Sequence, residues 1–250
     1  MYTELMLEED MFPRFFTHME KREYGLLFFD EDNKDSYDSN HAVLYGSKIL
    51  DLKETLQDVI RFYRKKDIVP NIYQATEEEG YLRANAEVFS EAGFELFEEI
   101  QKFMLLSEKN TINVNSEIKV KQVTKWESDF ENEIFMAAGE PWEISVAKKM
   151  ISKPECLFFA AYFQERPVGM AYAHVSGDGC RYDYILVAKE YRKIGCARAI
   201  LSYMTDYCRE NNITNCFQWP AHKSSEDICY EAGFREIFEI KAGRATWKEK

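Results

Sequence analysis

Long apolar runs are missing from this 250-residue chain. No stretch reaches the roughly 18 apolar residues that a membrane-spanning helix needs, so no membrane partner is expected. Glycine (11) and proline (6) are scarce while apolar residues make up 46%. A disordered, collagen-like or low-complexity chain is thereby excluded. Histidine is limited to four, and none of the six cysteines stands in a C-x-x-C pair. Both shortages argue against a zinc site, and no metal is expected. Basic charge is also short: Lys+Arg is 32 against Asp+Glu 44, a net charge of −12. Such a chain repels polyanions on average, so no nucleic-acid partner is expected. Residues 1–10 lack both the basic and the apolar region of a secretory signal. The cysteines (Cys156, Cys180, Cys196, Cys208, Cys216, Cys229) then read as reduced thiols of a cytoplasmic protein.

The length fits one large domain or two small ones. The charge is uneven: residues 1–112 carry 24 acids and 13 bases, residues 113–250 carry 20 and 19. A pocket for a phosphorylated cofactor is easier to build in the second part. The two parts also resemble each other. Glu91-Ala92-Gly93-Phe94 returns as Glu231-Ala232-Gly233-Phe234, and Asn71-Ile72-Tyr73-Gln74 as Asn215-Cys216-Phe217-Gln218. Leu52, Leu56, Val59, Ile60 and Tyr63 mark one face of a helix. Ala197, Ile200, Leu201, Met204 and Cys208 mark another. Each helix precedes a short apolar run, a second helix stopping at Gly-Phe, and a strand. The second part has more in front: a strand at 118–123, two helices split by Gly139-Glu140-Pro141, and strands near 157–162, 168–174 and 181–187. This order predicts a mixed α/β (α+β) fold in two mixed-sheet lobes, the C-terminal one complete. The polar stretch 108–116 sets the expected boundary at 112/113.

The segment with chemical content runs from Val187 to Ala199. A strand ends, a basic turn follows, and a helix opens on a glycine and small residues. Free backbone N–H groups, the helix dipole and Arg192, Lys193 and Arg198 together form an anion site suited to a pyrophosphate. No Walker loop is present, and a single glycine is too few for a dinucleotide fingerprint.

Arg192-Lys193-Ile194-Gly195-Cys196-Ala197 resembles the [QR]-x-x-G-x-[GA] loop of the GNAT superfamily of N-acetyltransferases. Val187 and Ile185 fill the apolar positions before it, and the downstream Gly-Phe also fits. The likeness covers about residues 117–247. It implies acetyl-CoA as cofactor, held by the 192–198 loop and by the backbone of Ile185, Leu186 and Val187. It also implies a primary amine of a small molecule or peptide as acceptor. On this reading residues 113–250 are the catalytic N-acetyltransferase domain and residues 1–112 a degenerate GNAT-like domain. Asp51 and Glu54 stand as a helix cap where a phosphate would otherwise bind. Either a monomer or a homodimer is compatible with it.

The resemblance points to a base on the strand before the loop, at Asp183. Simple alternation puts Arg181, Asp183, Ile185 and Val187 on one face. A salt bridge to Arg181 is the alternative role for Asp183, and His174 the alternative base. The family's usual acid, a tyrosine four residues before the Gly of Gly-Phe, is replaced by Cys229, with Tyr230 one place later. Both stand as candidate acids. Glu140, Trp142 and Glu143, an aromatic flanked by carboxylates, suit a cationic amine; a Trp142 packed into the core is the plainer alternative. Two other functions stay open: a non-catalytic acyl-CoA-binding or regulatory module, and an aminoacyl-tRNA-dependent transferase.

Overall fold

The structure, a computed structural model, describes residues 2–177 and 179–249. The chain forms two compact units. One holds the residues up to Gln101 and those from Ile240 on; the other is Lys102–Glu239. No helix among the described residues is long and apolar enough to cross a membrane.

The first unit contains α1 (Tyr2–Met11), β1 (His18–Arg22), β2 (Gly25–Phe29), β3 (His41–Leu44), α2 (Leu52–Arg64), β4 (Asn71–Gln74), α3 (Tyr81–Ala84), α4 (Ala86–Glu91) and the start of β5 (Phe94–Leu106). Strands β1 to β3 form an antiparallel meander, and α2 carries the chain over to β4, which lies parallel to β3. Asp51 starts α2 as the sequence predicts, its carboxylate accepting the Glu54 amide at 3.1 Å. Leu56, Val59 and Tyr63 then bury one helical face against Leu27, Leu44 and Ile72.

The second unit contains β6 (Ile118–Val123), α5 (Ser128–Phe130) running into a π-helical turn (Glu131–Met136), and α6 (Glu143–Met150). The strands β7 (Cys156–Phe163), β8 (Arg166–Ser176) and β9 (Gly179–Val187) follow. The chain goes on through α7 (Cys196–Glu210), β10 (Cys216–Gln218) and α8 (Lys223–Ala232) to β11 (Phe234–Trp247). Strands β6 to β9 are antiparallel in sequence, and α7 crosses over to β10, parallel to β9. Ile200, Leu201, Met204 and Cys208 of α7 pack on Phe159, Ala171, Ala173 and Tyr182 of the sheet.

Both units thus follow one path: antiparallel strands, a crossover helix, a parallel strand, a second helix and a long strand. The long strands close the sheets. Arg244–Thr246 of β11 pair antiparallel with β4, and Met104 and Leu105 of β5 pair antiparallel with β10. The chain passes between units at Gln101/Lys102 and at Glu239/Ile240, and the position 112/113 expected as a boundary lies within the second unit. Residues 102–112 go with the second unit, and the chain from Ile240 goes with the first.

Candidate active site

The loop after β9 is built to leave amides open. Lys193 and Gly195 have positive φ, 67° and 97°, turning the chain into α7. Gly195 stands at the N-cap with no side-chain cap, and the first intrahelical bond is Ala199 N–H to Gly195 O at 2.9 Å. The amides of Cys196, Ala197 and Arg198 precede that bond and have no partner within the helix. Asn115 Nδ2 donates to Ile194 O at 3.0 Å and pins the loop. Lys193 is exposed and makes no ion pair among the described residues. Arg192 turns back instead, donating to Val187 O (3.2 Å) and Ala138 O (3.3 Å). Arg198 is held in a two-pronged ion pair with Glu231, one contact at 2.8 Å. Cys196 is buried, which pushes its thiol up to about 11, so this residue offers its backbone rather than a thiolate.

Strand β9 opens away from β10. Their ladder is confined, among the described residues, to Cys180 opposite Cys216 and Arg181 opposite Phe217, because β10 ends at Gln218. Alternate N–H and C=O groups beyond Tyr182, including those in the span Ile185, Leu186 and Val187, therefore face the gap without a strand partner.

On the other side, β9 meets β8 with a bulge: Ala171 pairs with Ile185 and Ala173 with Tyr182, so Tyr172 faces both Asp183 and Tyr184. The extra residue resets the alternation. Ile185 and Val187 pack with Tyr182 toward α7. Asp183 lies with Arg181 and His174, so the single face expected for Arg181, Asp183, Ile185 and Val187 does not form. Asp183 Oδ1 pairs with Arg181 at 2.6 Å, and Oδ2 meets His174 Nε2 at 2.8 Å. Burial alone would raise this carboxyl, but the Arg181 charge and the His174 hydrogen bond outweigh it. They hold it well below the ordinary range. His174 Nδ1 lies 3.6 Å from Cys156 Sγ. Asp183 is thus an ionised carboxylate with both oxygens engaged and its side chain 13% exposed.

The turn before α6 approaches β9 at Tyr184. Trp142 is 50% exposed, not packed into the core. Glu140 is partly exposed, with the Tyr184 hydroxyl 3.5 Å away. Glu143 does not join them. It is buried and accepts a hydrogen bond from the Tyr172 hydroxyl, which burial and the nearby Glu143 charge hold well above its usual range. Tyr172 stacks between Phe158 and Tyr184, at centroid distances of 4.8 and 6.2 Å. Sequence reasoning named neither Tyr172 nor Tyr184. The available signal was a polar pair, Tyr172 and His174, spaced by two in the otherwise apolar β8.

The two candidate acids lie on α8. The Tyr230 hydroxyl is 3.4 Å from Glu226, one turn back, and the Arg235 guanidinium sits 5.7 Å from its ring. Cys229 is a core residue whose thiol burial pushes up to about 12.

In the first unit the corresponding loop is filled from within. The amides of Gly46 and Ser47 both donate to the Glu78 carboxylate, the latter at 3.2 Å, while Asp51 occupies the start of α2.

A model of the acetyltransferase (GNAT) family matches residues 121–234, from β6 to the first residue of β11. A search of curated proteins finds no match. Among solved structures, the chain is similar to a GCN5-related N-acetyltransferase from Kribbella flavida (12% identity, 99% of this chain and 95% of that one, TM-score 0.71). It is also similar to a functionally unknown conserved protein from Staphylococcus epidermidis (12%, 97% and 97%, TM-score 0.62). A third is a GCN5-related N-acetyltransferase from Sphaerobacter thermophilus (10%, 93% and 84%, TM-score 0.57). At such identities the likeness is one of fold.

Proposed function

We propose, from the premise that residues 121–234 are a GNAT-family acetyltransferase domain, that this chain transfers acetyl from acetyl-CoA to a primary amine of a small molecule or peptide. The observation that carries the reading is the pairing of uncapped amides at the start of α7 with the unladdered edge of β9. An anionic ligand with a long amide-bearing arm satisfies both.

Acetyl-CoA supplies an acetyl group activated as a thioester. The amides of Gly195, Cys196, Ala197 and Arg198, with Lys193, would hold its pyrophosphate; the backbone of Ile185, Leu186 and Val187 would hold the arm. Arg192 shapes the loop through Val187 O and Ala138 O, and Arg198 braces it through Glu231. Glu140 and Trp142 take the cationic amine by ion pairing and cation–π contact. The bound ammonium first gives one proton to Glu140 through a water, which frees the nitrogen lone pair; as nitrogen then bonds to the acetyl carbon and the carbon–sulfur bond breaks, the nitrogen gives its second proton to solvent. Asp183, already bound to Arg181 and His174, keeps that wall in place rather than taking the proton. No side chain is assigned to the departing thiolate, which would take its proton from solvent. None of the six cysteines is in a disulfide, which supports a cytoplasmic setting.

The test is release of CoA thiol from acetyl-CoA with a panel of amines. Glu140→Gln should raise the amine KM and lower kcat roughly 10- to 100-fold with CoA affinity unchanged. CoA binding without turnover on any amine would favour a non-catalytic module. A requirement for charged tRNA would mark aminoacyl transfer.

A further inference from the structure

Three cysteines from three separate elements converge inside the second unit. Cys180 on β9, Cys208 on α7 and Cys216 on β10 are all buried, and their Sγ atoms lie within 4.8 Å of one another. Buried polar atoms sit on the same three elements: Tyr182 Oη, two residues along from Cys180; Thr205 Oγ1, one turn before Cys208; and Gln218 Nε2, two residues along from Cys216. Among the described residues, Thr205 Oγ1 and Gln218 Nε2 are buried without a hydrogen-bond partner, and the Tyr182 hydroxyl, on a residue 3% exposed, meets no partner but the thiols of Cys208 and Cys216.

Buried cysteine commonly packs as a small hydrophobe. That accounts for each thiol singly, but not for three thiols from three elements meeting around one buried hydroxyl. Orphaned buried polar atoms are rare and point to an ion or water among them. We propose that Cys180, Cys208 and Cys216 bind one thiophilic d10 cation, Zn(II) or Cu(I), as three thiolates, with the Tyr182 hydroxyl as the adjacent oxygen donor. Metal–sulfur bonds of about 2.3 Å put the sulfurs about 4 Å apart, so the cluster closes by less than about 1 Å. Three S–H bonds break, three metal–sulfur bonds form and three protons leave; Zn(II) with three thiolates carries a charge of −1. Sulfur donors select a soft cation over Mg²⁺ or Ca²⁺. The cation ties α7 to the root of the opening between β9 and β10. The site has no local motif, because its ligands come from separate elements.

A buried site loads as the chain folds, so the full chain is expressed with supplemented zinc, or separately with copper, and purified under a phosphine reductant. Its metal is then measured by plasma mass spectrometry. The expected result is about one metal per chain in one of the two arms, which names the cation. Cys208→Ser should lower it at least tenfold, while Cys229→Ser, a buried cysteine outside the cluster, leaves it unchanged. Expression with Cd(II) should give thiolate-to-metal charge-transfer absorption, lost in Cys216→Ala. If Cys208→Ser does not fold, the wild-type metal content and Cd(II) spectrum still decide. A folded wild type with under 0.1 metal per chain in every arm and no charge-transfer band overturns the proposal, as does full metal content in either cluster variant.

Discussion

Asp183→Asn separates a positioning role from a catalytic one. The substitution keeps the shape and removes the charge. In the wild type, Oδ1 meets Arg181 at 2.6 Å and Oδ2 meets His174 at 2.8 Å. Arg181 is itself buried, so the variant takes one ion-paired carboxylate away from a guanidinium inside the second unit. Removing one partner of a buried pair costs about 3–5 kcal/mol. At about 2–4 °C per kcal/mol for a chain of this size, Tm should fall by roughly 6–20 °C. Removing both charges, as in Arg181→Met with Asp183→Asn, should restore much of the loss, because the guanidinium is removed together with the carboxylate it pairs with. The pH dependence has a definite sign. The folded-state pKa of Asp183 is depressed, so its contribution is present above the unfolded value of about 3.9 and is lost as pH falls below it. The Asn variant should therefore lose less stability than the wild type on acidification below about pH 4. Urea unfolding followed by circular dichroism gives the stabilities, and acetylation kinetics on the folded fraction give kcat. We expect kcat within about tenfold of wild type. Near-wild-type stability together with a kcat loss of roughly 10²–10⁴-fold that partly recovers at high pH would refute the reasoning and make Asp183 the base.

Gly195→Asp should abolish CoA binding by calorimetry while the protein stays folded, since the new carboxylate joins the amides that await a phosphate and the position has φ 97°. Titration should give one CoA per chain, because Glu78 and Asp51 already occupy the first unit's loop; a stoichiometry of two would show otherwise. Asp10, buried and bonded to Thr76 N and Oγ1 at 2.9 and 2.7 Å, is raised to about 7, mainly by burial. Its folded form holds the proton more tightly, so stability is lost as pH rises from about 4 to 7, by up to about 4 kcal/mol. Asp10→Asn should flatten this trend in urea unfolding at pH 5 and 8. Tyr230→Phe should leave kcat within about threefold, the hydroxyl being turned toward Glu226; a loss of 10²-fold would make it the acid.

Local chemistry made much of this fold legible before any coordinates. The alternation over 118–123 coincides with β6, the Asp51 cap starts α2, and Gly93 and Gly233 take the positive φ expected where a helix stops before a strand. The 192–197 loop lies where its pattern puts it, between β9 and α7. What stayed hidden depends on partners distant in sequence. A period of two carries no sign of a bulge, because the two-against-one count at Asp183 and Tyr184 is set by pairing with Tyr172. Glu78 reaches Gly46 from 32 positions away. The change of unit within β5 and β11 follows from what each strand pairs with, β10 and β4, and not from its own composition. Polar residues 108–116 mark an exposed stretch, and exposure alone does not place a domain boundary.

The bulge is also what makes a charged residue tolerable at position 183. With unbroken alternation, Asp183 would share the face of Ile185 and Val187, which packs against Ile200 and Met204 of α7. A carboxylate there would be buried among apolar groups and would be driven to its neutral form. One extra residue turns Asp183 to the opposite face, where Arg181 and His174 ionise it and hold it. The same residue brings Tyr184 over Tyr172 and toward Glu140, while the apolar side chains after it stay in the core. A single insertion in β9 thus separates two tasks. One face anchors the strand through Ile185 and Val187, the other carries the charged wall, and the strand's edge stays open toward the gap left by the short β10.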